Sequence, residues 1–209
     1  FDPADAGSDA KAIAIRHGSL ITEAKSWTTG DITSAIPRAF DAAEQVRATH
    51  IVFDADGLGA AVKVGLDQRV GSDMDITAYH GGASVDYPSE LYEGNRSNKD
   101  TFKNKRAQYY WFLADRFRKT YDAVVNGIYC DPEQLISISS DIGEVRQIKA
   151  ELSRVLRKRT NNSQIQLESK PDMAKRGVKS PNLADAIVMC FANPPPKTVH
   201  KKQEFAALW

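Results

Sequence analysis

Three aspartates stand in three separate settings whose residue types could do phosphate chemistry together. Asp2 lies in the opening Phe1-Asp2-Pro3-Ala4-Asp5-Ala6-Gly7-Ser8-Asp9. Asp54 ends the apolar run His50-Ile51-Val52-Phe53 and is followed by Ala55-Asp56-Gly57-Leu58-Gly59. Asp185 lies in Ser180-Pro181-Asn182-Leu183-Ala184-Asp185-Ala186. Carboxylates drawn from distant segments repel one another unless a cation is held between them. Hard divalent ions such as Mg2+ are held by one or two carboxylates together with substrate phosphates. A metal site working on phosphate esters is therefore the first hypothesis. Each aspartate also has a plainer reading. Asp2 can belong to a solvated turn, Asp54-Ala55-Asp56-Gly57 to a strand-to-helix turn with Asp56 as the cap, and Asp185 to a helix start favoured by the dipole. Asp56 and Asp9 are kept as possible additional ligands.

The elements that must position these residues follow from pattern. Residues 10–16 read as a strand, His17-Gly18-Ser19 as a turn, and Leu20 to Ser26 as the hairpin partner. A helix is expected over 37–48, with Pro37 at its first turn, where a missing N–H costs little. Residues 50–54 read as a buried strand that places Asp54 at its carboxyl end, where open α/β sheets bind ligands. A helix over roughly 59–70 and a strand from Asp75 to His80 follow. The stretch 81–98, rich in Gly, Ser, Asn and Tyr, reads as a long loop. A helix is expected over about 100–119, with Phe102, Tyr109, Phe112, Leu113 and Phe117 near one face. Another is expected over 141–150, and then a hairpin over 152–168 about Asn161-Asn162. The last helix runs from a Ser180 N-cap, with Pro181 as first helical residue, to about Ala192. Ala184 and Ala186 let it lie close on a sheet with Asp185 facing inward. An opening hairpin followed by strand–helix alternation argues for an α/β fold, a mixed central β-sheet flanked by helices.

Composition bounds the partners. The chain has 209 residues, 42% of them apolar, and a formal charge of +1. Global charge thus does not draw it to nucleic acid, and any DNA contact must come from local basic patches. Lys103-Asn104-Lys105-Arg106 is one such patch. Arg154 with Arg157-Lys158-Arg159 is a second and the favoured one, and Lys175-Arg176 with Lys179 is a third. The plain alternative for each is a solvated face. Tyr109-Tyr110-Trp111-Phe112 can stack bases, though a helix burying alternate members is the stronger reading. No ligand spacing joins His17, His50, His80 and His200. His80, at a strand end before Gly81-Gly82, is the one retained for the site. Cys130 and Cys190 lack metal-ligand spacing and read as reduced thiols. No phosphate-binding Gly-Lys-Ser/Thr loop occurs. No apolar stretch approaches the roughly 20 residues of a membrane span, and no signal peptide opens the chain. A start at Phe1 without Met suggests a piece of a longer polypeptide, and 194–209 read as a basic tail after the domain at 1–193.

Taken together, these segments resemble the nuclease domain of tailed-bacteriophage terminase large subunits. The matching pieces keep the family order: Asp2-Pro3-Ala4 with Gly7-Ser8-Asp9, Asp54 to Gly59, Phe102-Lys103-Asn104-Lys105-Arg106-Ala107, and Met173 to Ala186. The resemblance implies an RNase H-like fold, with Asp2, Asp54 and Asp185 as catalytic metal ligands. It implies two divalent ions, Mg2+ or Mn2+, with Asp2 bridging them, and endonucleolytic hydrolysis of concatemeric double-stranded phage DNA. It also implies a terminase small subunit and a portal as partners, an ATPase domain in cis, and a place in the host cytoplasm outside the mature virion. The family often has Asp where Asn182 stands, so that position is not expected to be an essential ligand. No ATPase segment lies within these residues, so translocation is not expected of this chain alone. A resolvase-like, structure-selective nuclease and an inactive DNA- or partner-binding module are the alternatives.

Overall fold

The fold is built outward from a hairpin. In a computed structural model describing residues 1–94, 96–158 and 163–192, β1 (Lys11–His17) pairs antiparallel with β2 (Leu20–Trp27). Gly18 opens the two-residue connection at φ +58°, a conformation that a side chain would strain. β3 (His50–Asp54) runs parallel to β4 (Asp75–Tyr79), in register from His50↔Asp75 to Asp54↔Tyr79. The two halves are joined by Phe1 and Asp2. The Asp2 N–H donates to Ala12 O at 2.8 Å and Ala12 N–H to Asp2 O at 2.9 Å, an antiparallel bridge to β1. On the other side Phe1 N donates to Val52 O at 2.7 Å and Asp54 N–H to Phe1 O at 2.9 Å, a parallel pattern with β3. One mixed sheet results.

Strand alternation divides the core between the two faces of that sheet. Ile13, Ile51 and Phe53 pack on one face against Ala35, Ile36 and Ala39 of α1 (Ile32–Gln45) and Val62 and Leu66 of α2 (Gly59–Asp67). Ala12, Ala14 and Val52 point the other way. The long helix sequence expected from about residue 100 is divided. β5 (Leu91–Tyr92) and β6 (Arg96–Ser97) precede α3 (Asn98–Thr101), and α4 (Lys105–Val125) starts anew at an Asn104 cap that accepts from Ala107 N–H at 3.0 Å. A 3-10 turn at Pro132–Gln134 leads to β7 (Ser137–Ile138), which joins β2 in parallel. After α5 (Val145–Arg154), β8 (Arg157–Lys158) and β9 (Gln166–Leu167) pair antiparallel, and α6 (Lys170–Lys175) and α7 (Asn182–Phe191) end the described chain. α7 packs among α4, α5 and the face of β1, and almost every side chain on it is buried. A helix apolar on all sides belongs inside.

Several expectations are corrected. α1 starts at Ile32, not 37, because Asp31 and Ser34 form a reciprocal capping box upstream. Pro37 therefore sits inside the helix, where it removes one backbone donor. The stretch 81–98 is not a bare loop but holds the β5–β6 pair. Phe102 lies outside α4, and Phe117 is exposed because α4 runs past the edge of the core. α2 stops at Asp67 and α5 starts at Val145, offset from the expected 70 and 141. Ser180 does not cap α7: Pro181 holds that position without a side-chain bond, and Glu151 of α5 accepts from Ala184 N–H at 3.0 Å instead. A tertiary contact supplies the cap that local sequence was expected to supply. The tip of the 152–168 hairpin at Asn161-Asn162, and the tail at 194–209, lie outside the described residues.

Candidate metal centre

Each of the three aspartates reaches the centre by a different backbone device. Asp54 ends β3, and its N–H is bonded to Phe1 O, which sets Asp2 in the adjacent row of the sheet. Asp185 sits one turn into α7, its N–H donating to Pro181 O at 2.7 Å. Ala184 and Ala186 are fully buried on either side of it, so the helix backbone comes close to the strands. The elements thus bring together residues 183 positions apart in sequence, at Asp2 and Asp185.

Burial makes this gathering costly. Asp2 is 3% exposed and Asp185 8%, while Asp54 is half-buried. Burial pushes the Asp2 carboxyl well above its ordinary range, the charges of Asp185 and Asp54 push it further, and Lys170 opposes them. Burial also raises Asp54, against the Asp56 N–H that donates to its Oδ1 at 3.0 Å and against Lys170. For Lys170 the balance is reversed. Burial favours its neutral form, but Asp2, Asp185 and Asp54 outweigh that and hold the ammonium charged. Its Nζ lies 3.6 Å from Asp185 Oδ2. The opposite oxygen, Asp185 Oδ1, accepts a buried hydrogen bond from the Tyr110 hydroxyl at 2.5 Å, and Arg106 Nε stands 3.6 Å from it.

Asp54, Asp56, Arg106, Lys170 and Asp185 line a cleft of about 390 Å3, and Asp2 lies behind its walls, near enough to feel the charges of Asp54, Asp185 and Lys170. Gly81 lets the backbone into the wall: a Cβ there would meet Arg106 Cβ at 3.3 Å and Tyr79 Cε1 at 3.5 Å. Among the described residues, no three His, Cys, Asp or Glu side chains stand close enough together to hold an ion as they are. The donors nevertheless suit one. The side-chain set is all carboxylate oxygen, the donor that hard divalent cations take. The raised Asp2 and Asp54 are carboxylates whose ionised forms an added cation would favour. Asp2, Asp54 and Asp185 are the residues that would hold it.

The remaining candidates fall into place unevenly. Asp56 lines the cleft but does not cap α2, whose N-cap is Leu58 without a side-chain bond. Its carboxylate instead accepts from Gly82 N–H at 3.2 Å and faces His80 Nδ1 at 3.1 Å, so His80 is bound to the rim of the cleft through Asp56. Asp9 is exposed, and its Oδ1 accepts from Asn182 Nδ2 at 3.1 Å. Asn182 also donates to Ala10 O at 2.7 Å, which ties the start of α7 to the start of β1. In the basic clusters, Lys158 and Lys175 both lie against Asp172, at 2.6 and 3.7 Å. The Arg157 guanidinium covers the Trp111 ring, 5.6 Å from its centroid. Arg154 and Lys179 are exposed, and Arg159 lies outside the described residues. No helix among the described residues is long and apolar enough to cross a membrane.

Sequence reasoning missed Lys170 and gave Tyr110 and Arg106 no part in the site. A signal for Lys170 was present. Ser169 and Asp172 form a capping box, with Ser169 Oγ accepting from Asp172 N–H at 3.2 Å, and that pattern starts a helix at Lys170. Arg106 stood out only within a basic, family-matching segment and Tyr110 only within an aromatic run, because the contacts of both with Asp185 join separate elements.

No protein-family model and no curated protein matches the chain. Solved structures do. The nuclease domain of the large terminase subunit of bacterial virus Sf6 is 38% identical, with a TM-score of 0.87 over 92% of this chain and 86% of that one. A point mutant of the same domain with manganese and beta-thujaplicinol gives 37% identity and 0.87 over the same shares. That mutant with manganese gives 33% and 0.82 over 91% of each chain.

Proposed function

The chain belongs to the nuclease domains of bacteriophage large terminase subunits, and from that premise we propose that it is a Mg2+- or Mn2+-dependent endonuclease that cuts concatemeric double-stranded phage DNA during genome packaging. Its RNase H-like α/β fold is that of the family. The observation that carries the reading is electrostatic. Asp54 and Asp185 line one cleft, and burial together with the charges of these two disfavours the ionised form of the neighbouring Asp2 unless a cation is supplied.

Two divalent ions bound by Asp2, Asp54 and Asp185 would supply Lewis-acid polarisation of the phosphodiester and a nucleophilic water. The chain's own residues do the rest. Tyr110 holds the Asp185 carboxylate in one orientation, and the Lys170 ammonium offsets the negative charge of the cluster before DNA arrives. Gly81 packs closely on Arg106, and the Gly82 N–H holds the Asp56 carboxylate at the cleft wall. In the reaction, water oxygen bonds to phosphorus as the P–O3′ bond breaks; the departing 3′ oxygen takes up a proton, leaving a 3′-hydroxyl and a 5′-phosphate. Arg154, Arg157 and Lys179 are exposed candidates for contacts with flanking phosphates. The ATPase domain, small subunit and portal of the packaging machine, acting in the host cytoplasm, complete the proposal.

The test is cleavage of plasmid DNA with Mn2+ by the wild type and by Asp54→Asn. Loss of cleavage at unchanged fold is expected. Full cleavage by Asp54→Asn sinks the assignment.

A further inference from the structure

We propose that Tyr110 and Arg106 are positioning residues that, through Asp185, decide which divalent ion the centre accepts. The inference rests on the metal-dependent reading above and goes beyond it, to selectivity among ions.

The geometry separates the two oxygens of Asp185. Oδ1 is committed: it accepts the Tyr110 hydroxyl at 2.5 Å in a buried bond, and Arg106 Nε lies 3.6 Å away. Oδ2 points to the cleft side, 3.6 Å from Lys170 Nζ. The two clamping residues are themselves held. The Arg106 guanidinium lies over the Tyr110 ring, 5.0 Å from its centroid, and its Nη1 donates to Glu168 O at 3.0 Å. Glu168 is in turn fixed by Leu156 N–H at 2.8 Å and by Arg176 Nε at 3.0 Å. Turning Asp185 so that both oxygens face an ion would break a short, charge-assisted bond in a buried place, the kind whose loss is most costly.

Ion size makes that restriction selective. Mg2+ and Mn2+ suit sites in which each carboxylate gives one oxygen and water fills the remaining positions. Ca2+ is larger, takes about six to eight oxygens, and gains from carboxylates that bind through both. With Oδ1 turned to Tyr110 and Arg106, Asp185 presents Oδ2 to the cleft, which disfavours the two-oxygen mode that Ca2+ gains from at little cost to the smaller ions. Removing the clamp makes that mode easier to reach.

Isothermal titration of the DNA-free protein with MnCl2, MgCl2 and CaCl2 tests this, alongside melting temperatures in EDTA. Tyr110→Phe keeps the ring under Arg106 and removes only the hydroxyl. Its Ca2+ affinity relative to Mn2+ should rise about tenfold, the scale of releasing one hydrogen bond to a charged group. Arg106→Lys keeps a cation beside Asp185 without the guanidinium, and should move the ratio the same way by a smaller factor. It carries the test if Tyr110→Phe melts far below the wild type in EDTA. A wild type that binds these ions while both variants keep its ratio overturns the proposal alone. A wild type that binds none of them, and matches Asp185→Asn, overturns the metal reading and the proposal with it.

Discussion

Replacing Asp2 by Asn should stabilise the metal-free protein and destabilise the metal-loaded protein relative to wild type. Asp2 is 3% exposed, and its carboxyl is raised by burial, by Asp185 and by Asp54. The sign follows from linkage: an acid whose folded pKa lies above its unfolded value favours folding only while it is protonated. That contribution is complete below the unfolded pKa of about 4 and is lost as pH rises through the raised folded value. At neutral pH the wild type therefore carries a repulsion that Asn, uncharged and of the same shape, removes. Relief of strain at a functional site is worth about 1 kcal/mol, or about 2–4 °C in Tm for a chain of this size. With Mn2+ at 100 times its Kd the wild type gains about 2.7 kcal/mol, roughly 5–10 °C, and a variant without the ligand gains little. Thermal unfolding in EDTA and in MnCl2, at pH 4 and pH 7.5, measures all four corners. The variant should melt higher in EDTA at pH 7.5, lose that lead near pH 4, and melt lower in Mn2+. A lower Tm than wild type in EDTA at pH 7.5, or an equal gain from Mn2+, refutes the argument that Asp2 is a buried ligand held under repulsion.

Two further outcomes follow from the cations around the centre. Lys170→Ala removes a partly exposed ammonium 3.6 Å from Asp185. The metal-free protein should lose about 1 kcal/mol by urea denaturation, and should gain more from Mn2+ than wild type does. Arg176→Ala deprives Glu168, whose side chain is 5% exposed, of both guanidinium bonds. Because Arg176 is itself 39% exposed, water can replace part of the pair, so the expected loss is about 2 kcal/mol and not the 3–5 of a fully buried pair. A double-mutant cycle with Glu168→Gln should show most of that as coupling, and coupling near zero would remove this pair from the account.

What could be read from the chain alone was whatever local chemistry controls. The strand-forming runs of β1 and β3, the turn at Gly18 and the apolar run of α7 each express a preference set within a few residues, and each forms about where the pattern places it. The expectation failed where two local signals competed. Pro37 looked like a helix start, but the Asp31–Ser34 box lay upstream and prevailed. It failed also where a distant group replaced the local one, as when Glu151 capped α7 in place of Ser180.

The candidate centre divides along the same line. Asp2, Asp54 and Asp185 stood out as candidates because each is marked by its own neighbours: a strand end, a glycine turn, small residues at a helix start. The sequence by itself determined which carboxylates exist and on what kind of element each sits. Only the tertiary structure decided that Asp54 and Asp185 line one cleft with Asp2 beside them, that Lys170 stands among them, and that Tyr110 bonds one oxygen of Asp185. The reason is physical. A backbone preference is a property of neighbouring residues, whereas burial, repulsion and a hydrogen bond spanning 75 positions depend on distances that exist only once the sheet has closed.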